Sequence, residues 1–148
     1  EGSHVGLLLA EVDNFKKINE THGHLAGDAV LRETARRLRS LVRPYDNAGR
    51  YGAEEFLIVA PGCDAANALS QAERIRNAVG GQSMDTSEWG TFPSAQEGKI
   101  QVTLSMGVAA GDKLKELEPF LRAVETALAC AKQAGYNRAE LAKPEDFE

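Results

Sequence analysis

The sequence predicts an α/β (α+β) fold in which one mixed central sheet is flanked by helices. Three observations predict it. An apolar run at residues 5–12 has no helical period, as in a strand buried on both faces. Residues 25–42, 65–79 and 117–134 carry apolar side chains at helical spacing. Residues 50–60 and 100–106 read as further strands between them, so strands and helices interleave without an internal repeat. The chain's 148 residues, 43% of them hydrophobic, amount to one domain. A domain of that size buries about two thirds of the surface its unfolded chain exposes, and needs no disulfides or structural metal.

The elements follow in order. Residues 5–12 form the first strand, with acidic residues at its end. In the helix at 25–42, Val30, Leu31, Ala35, Leu38, Leu41 and Val42 share a face, and Pro44 stops it. Residues 50–60 look like a hairpin with a buried second strand, with Gly49 and Gly52 as turn formers and Pro61-Gly62 as its end. The helix at 65–79 has Asp64 as N-cap and Gly80-Gly81 as its stop. Residues 82–98 are polar and interrupted by Pro93, which suits an exposed excursion with a loose hairpin around Trp89 and Phe92. Residues 100–106 alternate apolar and polar, as in a strand with one face on the core, and Gly107 marks a bend or a close approach. The helix at 117–134 puts Leu117, Leu121, Val124, Leu128 and Ala131 on one face and ends at Gly135. A short strand follows at 138–141.

Composition narrows the function classes. With 22 acidic residues against 17 Lys and Arg, a net charge of −5 argues against broad nucleic-acid binding. A small anionic ligand remains compatible where basic residues concentrate. No apolar run approaches the roughly 20 residues that cross a bilayer, so no membrane span is expected. Cys63 and Cys130 have neither disulfide-framework nor zinc spacing, which fits a reducing cytoplasm. His22 and His24 are two apart, the wrong spacing for a helical metal pair, and suit packing or loop roles. Glu1-Gly2-Ser3-His4 resembles a tag remnant, leaving 5–148 as the domain.

Two acidic groups stand out. Glu11 and Asp13 alternate onto one face of the first strand or near its tip, and Glu54-Glu55 lie at the turn of the hairpin. If the two strands are neighbours, three or four carboxylates converge. Such a cluster repels itself unless cations neutralise it, which points to a divalent metal; magnesium suits it, since it takes one or two carboxylates plus substrate phosphates. Solvated acidic turns are the other reading.

The motifs also carry a family likeness. Arg50-Tyr51-Gly52-Ala53-Glu54-Glu55-Phe56 resembles the signature hairpin of the GGDEF domains, the diguanylate cyclases, which also occur with Glu in the third position. Glu11-Val12-Asp13-Asn14-Phe15-Lys16-Lys17-Ile18-Asn19 is similar to that family's Asp-x-Asp-x-Phe-Lys-x-Ile-Asn segment. Gly23-His24-x-x-Gly27-Asp28, Val102-Thr103-Leu104-Ser105-Met106-Gly107 and Ala131-Lys132-x-x-Gly135-x-Asn137-Arg138 follow in family order. The resemblance covers nearly the whole chain and implies a palm-like nucleotide cyclase fold.

It also implies roles. Asn19 and Asp28 would read the guanine edge, though alone they also suit a turn residue and a helix cap. Glu54, Glu11 and the Val12 carbonyl would hold Mg2+ or Mn2+, with Glu55 beside them. Gly52 and Ala53 would lie against the phosphates. Lys16 and Lys132 would neutralise the triphosphate, although either is also a common solvated charge. Arg43-Pro44-Tyr45-Asp46, with Arg74 on the next helix, matches the family's Arg-x-x-Asp inhibitory site for the product dimer; the alternatives are a helix-ending Arg and surface charges. Arg32, Arg36, Arg37 and Arg39 mostly suit a solvated helix face.

Three departures bear on activity. Glu11 stands where the family usually has Asp. Ala53 replaces the second signature glycine, adding a Cβ near the phosphates and excluding some positive-φ geometries. Tyr136 stands where Arg is usual, removing a cation. The segment that usually opens the domain is missing, as in a fragment of a longer protein with a sensor domain. The resemblance implies a homodimer that condenses two GTP into cyclic di-GMP under product inhibition. A catalytically degenerate module binding GTP or cyclic di-GMP is the alternative.

Overall fold

The computed structural model describes residues 4–87, 98–112 and 117–147. Strand β1 (His4–Val12) leads into helices α1 (Phe15–His22) and α2 (His24–Leu41). Strands β2 (Asn47–Arg50) and β3 (Glu55–Pro61) form a hairpin, followed by α3 (Ala65–Gly80) and the short strands β4 (Met84–Asp85) and β5 (Lys99–Ile100). Then come β6 (Leu104–Asp112), α4 (Leu117–Gln133), β7 (Arg138–Leu141) and a 3-10 turn, Pro144–Phe147. The main sheet has five strands in the order β2-β3-β1-β6-β7, with β7 parallel to β6 and the other pairs antiparallel.

β1 lies in the middle of that order, which explains its unbroken apolar sequence. Leu8, Ala10 and Val12 face a core built with Val30 and Leu38 of α2 and Ala68, Ala72 and Ile75 of α3. Leu7 and Leu9 face the opposite side, where Ala123, Val124 and Leu128 of α4 cover them. Leu7, Leu8 and Leu9 are all fully buried, each worth about 1.5–3 kcal/mol relative to exposure. Asp64 caps α3 as expected, accepting from the Asn67 N–H at 2.9 Å.

Several expectations are corrected. The late strand is not 100–106: β5 ends at Ile100, residues 101–103 are irregular, and β6 runs on through Gly107 to Asp112. Nor does it have one solvent face, because α4 lies over one side of the sheet and α3 over the other. Gly107 serves close approach: a Cβ there would strike the Val124 carbonyl of α4. Gly49 forms no turn but pairs with Leu57 inside the hairpin, which starts at Asn47. The second hairpin strand alternates between buried and half-buried positions. Leu117 lies outside the α4 core face, 52% exposed at the helix start. The hairpin around Trp89 and Phe92 falls outside the described residues, but its base exists as β4 paired with β5. No described helix is long and apolar enough to cross a membrane.

Candidate functional site

The β2–β3 turn carries the acidic pair, and short bonds close it. The Tyr51 and Gly52 N–H groups both donate to the Glu55 carbonyl, at 2.9 and 3.4 Å. Arg50 wraps the turn from outside, its Nε donating to the Gly52 carbonyl at 3.3 Å and its Nη2 to the Ala53 carbonyl. Its guanidinium lies 5.6 Å over the Phe56 ring. None of residues 51–54 has a positive φ. The turn therefore accommodates Ala53 without the backbone strain that a positive φ would bring. The Glu55 carboxylate occupies the space that a Cβ on Gly52 would take, so a larger residue there would make it swing away.

β1 and β3 are neighbours, with Glu11 opposite Glu55 and the Val12 N–H donating to the Glu54 carbonyl at 3.1 Å. Glu11 is half-buried, and its Oε2 accepts from Lys132 Nζ at 3.0 Å. Burial and the neighbouring Glu11 and Glu54 carboxylates raise the Glu55 pKa, while the bond to Glu11 raises that of Lys132. Among the described residues no three His, Cys, Asp or Glu side chains form a ready-made metal cage. Crowded carboxylates without a closed cage fit a hard cation that keeps water and substrate oxygens in its shell. Glu11, Glu54 and the Val12 carbonyl are thus compatible with magnesium or manganese.

Asp13 does not join that cluster. It is 4% exposed and accepts from Thr103 Oγ1 and Ser105 Oγ, both at 2.6 Å, and from the Asn137 N–H at 3.0 Å. With its acceptor capacity engaged, it ties the end of β1 to β6 and to the turn after α4.

Helices α1 and α2 meet at Gly27, whose missing side chain leaves room for the Asn19 amide. Asn19 Oδ1 is buried there without a hydrogen-bond partner among the described residues. Asp28 follows on the exposed side of α2, and Lys16 is exposed on the first turn of α1. A cleft of about 330 Å3 along α1 is lined by Lys17, Ile18, Thr21, His22 and residues 99–103. None of the nominated nucleotide residues lines it.

Over residues 1–138 the chain matches the family described as diguanylate cyclase, GGDEF domain. It belongs to the GGDEF family. This GGDEF chain is 38% identical over 141 residues to diguanylate cyclase A of Treponema denticola, covering 94% of this chain and 35% of that protein. It is 42% identical over 140 residues to the response regulator PleD of Caulobacter vibrioides, covering 92% of this chain and 29% of that one. The chain thus spans only a minor part of the length of these relatives. Its fold matches the GGDEF domain of DgcB from Caulobacter crescentus, solved in complex with c-di-GMP, with a TM-score of 0.82 and 28% identity over 95% of this chain and 78% of that one. Diguanylate cyclases of this family generally use a divalent metal, and GGDEF domains bind GTP and c-di-GMP.

The Arg43–Asp46 region of the GGDEF domain is already knitted together. Asp46 Oδ1 accepts from Arg43 Nη2 at 2.7 Å, and Oδ2 accepts from the Arg43 N–H at 2.9 Å and from Gln71 Nε2 at 3.0 Å. The Asp46 side chain is fully buried, whereas that of Arg43 is 31% exposed. Burial alone would raise the Asp46 pKa, but the bonds from Arg43 and Gln71 leave it lowered. Arg43 also stacks on Tyr45 at 4.6 Å and donates to the Pro61 carbonyl. Arg74 donates to the Leu41 carbonyl at 3.0 Å, which brings it to the same end of α2. A cavity of about 450 Å3 opens here, lined by Arg39, Arg43 and Asp46 among others.

Sequence reasoning missed three features. Arg37 does not belong to a solvated face: at 13% exposure it donates to Glu33, to the Val79 carbonyl in the last turn of α3 and to the Gln82 and Ser83 carbonyls beyond it. Asp13 looked like a member of the acidic cluster, and no local pattern announces its three donors. The Tyr51 hydroxyl donates to Glu125 of α4 at 2.7 Å, across 74 positions of sequence that carry no shared motif.

Proposed function

We propose that this GGDEF domain condenses two GTP into cyclic di-GMP and pyrophosphate, each 3′-hydroxyl attacking the α-phosphate of the other nucleotide. The observation that carries the reading is the Glu11–Lys132 ion pair at the end of the β1–β3 pair, beside the turn whose Glu54 carbonyl accepts from the Val12 N–H. In it, Asn19 and Asp28 recognise guanine, offering an amide and a carboxylate to the base edge. Lys16 and Lys132 neutralise the triphosphate, Gly52 and Ala53 border it, and Glu55 lies beside the reacting hydroxyl. Glu54, Glu11 and the Val12 carbonyl hold the divalent ion, Mg2+ or Mn2+. When bound, that ion lowers the pKa of the attacking hydroxyl and stabilises charge on the phosphoryl group. The protein's own contribution is orientation and neutralisation. One domain holds one GTP, so two domains face each other as a homodimer in the cytoplasm, each attached to a sensor domain.

Product inhibition at Arg43, Asp46 and Arg74 belongs to the same reading. Arg43 and Arg74 supply the guanidinium donors, and the buried Asp46 holds Arg43 in position until product competes for it. Arg43→Ala should weaken cyclic di-GMP binding about tenfold or more, as calorimetry would read.

A second reading, a module that binds GTP or cyclic di-GMP without turnover, is favoured by one observation: the Glu11 ligand is engaged by Lys132. Incubation with GTP and Mg2+ followed by nucleotide chromatography decides between them. Cyclic di-GMP that disappears in Glu54→Gln, with circular dichroism unchanged, supports the enzyme. GTP binding without product supports the module, and neither binding nor turnover rejects both.

A further inference from the structure

We propose that Tyr51 and Glu125 are a positioning pair that sets the acidic turn against the helix carrying Lys132. Tyr51 opens the turn, and its N–H donates to the Glu55 carbonyl, so the orientation of its backbone is that of the turn. Its hydroxyl crosses to Glu125 Oε2 at 2.7 Å. Glu125 and Lys132 are seven residues apart on α4, two helical turns, and so lie on the same side of it. Ala127, Leu128 and Ala131 between them are buried, which anchors this stretch of α4 on the side facing the sheet.

A closed frame results. Tyr51 joins the turn to Glu125, α4 joins Glu125 to Lys132, Lys132 joins Glu11, and Glu11 is the register partner of Glu55 back at the turn. Arg50 cannot supply this function, because its two bonds go to carbonyls within the turn and fix its shape rather than its attitude to α4. Tyr51 is 40% exposed, so removing its hydroxyl opens no cavity in the core. The phenol's pKa is raised, with the Glu125 bond as the first cause, which agrees with a charge-assisted contact.

The role rests on the reading of Glu54 and Lys132 given above: both groups must meet one triphosphate, and a turn free to tilt would hold them at variable separation. Misplacement of reacting groups costs rate more than affinity. Tyr51→Phe and Glu125→Ala should each lower kcat about tenfold and raise the Mg2+ concentration giving half-maximal rate, while the KM for GTP stays within about twofold because Asn19 and Asp28 are untouched. The double variant should be no slower than either single one, and Glu125→Gln, whose amide oxygen still accepts from the phenol, should recover most of the loss.

The test measures turnover together with Mg2+-dependent binding of a non-hydrolysable GTP analogue by calorimetry. A parent without Mg2+-dependent binding overturns the nucleotide site and the pair's role with it. Where the parent binds, Tyr51→Phe with unchanged Mg2+ dependence of both binding and turnover overturns the pair alone. Losses that simply add in the double variant do the same, whereas non-additive losses with rescue by Glu125→Gln establish it.

Discussion

Asn19 turns its amide oxygen into a buried position that no donor among the described residues satisfies, and leaving such an atom unpaired costs about 1–3 kcal/mol. Gly27 makes the position available, since a Cβ there would overlap Asn19 Oδ1 and lie 3.2 Å from the Phe15 ring. Gly27→Ala should therefore lower affinity for a GTP analogue about tenfold or more. The fold should survive, because alanine is favoured over glycine within a helix by about 1 kcal/mol. Equal calorimetric affinities would remove Asn19 from the guanine site. Glu55 gives a pH test. Burial and two neighbouring carboxylates raise its folded pKa, so its contribution favours the fold at low pH and is lost as pH rises through the folded value. Without metal, Glu55→Gln should melt above the parent at pH 8 and converge with it near about pH 4. A parent that melts higher at pH 8 would contradict the crowding.

Two side chains hold elements together, and each accounts for a measurable part of stability. Arg37 on α2 donates to three carbonyls from Val79 to Ser83, which ties the end of α3 and the segment leading to β4 to α2. Arg37→Ala should cost about 2–4 kcal/mol in denaturant unfolding. Arg36, 68% exposed and paired among the described residues with Glu33, is the control; Arg36→Ala should stay within about 1 kcal/mol. Asp13 joins β1 to β6 and to the turn holding Tyr136 and Asn137, both at positive φ. Asp13→Ala leaves two buried or half-buried hydroxyls and an N–H without their acceptor. It should destabilise by about 3 kcal/mol, read by thermal or chemical unfolding. A loss no larger than that of a surface change would show that water replaces the carboxylate.

At the scale of the molecule, β1 lies between β3 and β6 and delivers Glu11 and Val12 to one end of the sheet. The hairpin brings Glu54 and Glu55 to the same end, and α4 brings Lys132 from the opposite layer. In the proposed reaction one such end holds one nucleotide, so the condensation of two GTP molecules calls for a second domain. Turnover per mole of protein should therefore rise with protein concentration before levelling off, as initial rates over a dilution series would reveal. A rate per mole that is constant at all dilutions would mean either a dimer too tight to dissociate or product formation within one domain, and sedimentation at the lowest concentration separates the two.

The sequence by itself determined the class of fold, three of the four helices and their stops, the burial of β1 on both faces and the family, because those depend on local periodicity, capping residues and short motifs; the eight-residue α1 was too short to show a period of its own. It also named Glu11, Asn19, Glu54 and Lys132. Only the tertiary structure decided that β6 runs through Gly107, since that glycine's purpose is the approach of α4. Likewise, Asp13 is a structural tie because its donors come from Thr103, Ser105 and Asn137. The Tyr51–Glu125 bond is of the same kind. Each of these depends on which atoms from distant parts of the chain come within a few ångströms, and a linear pattern carries no record of that distance.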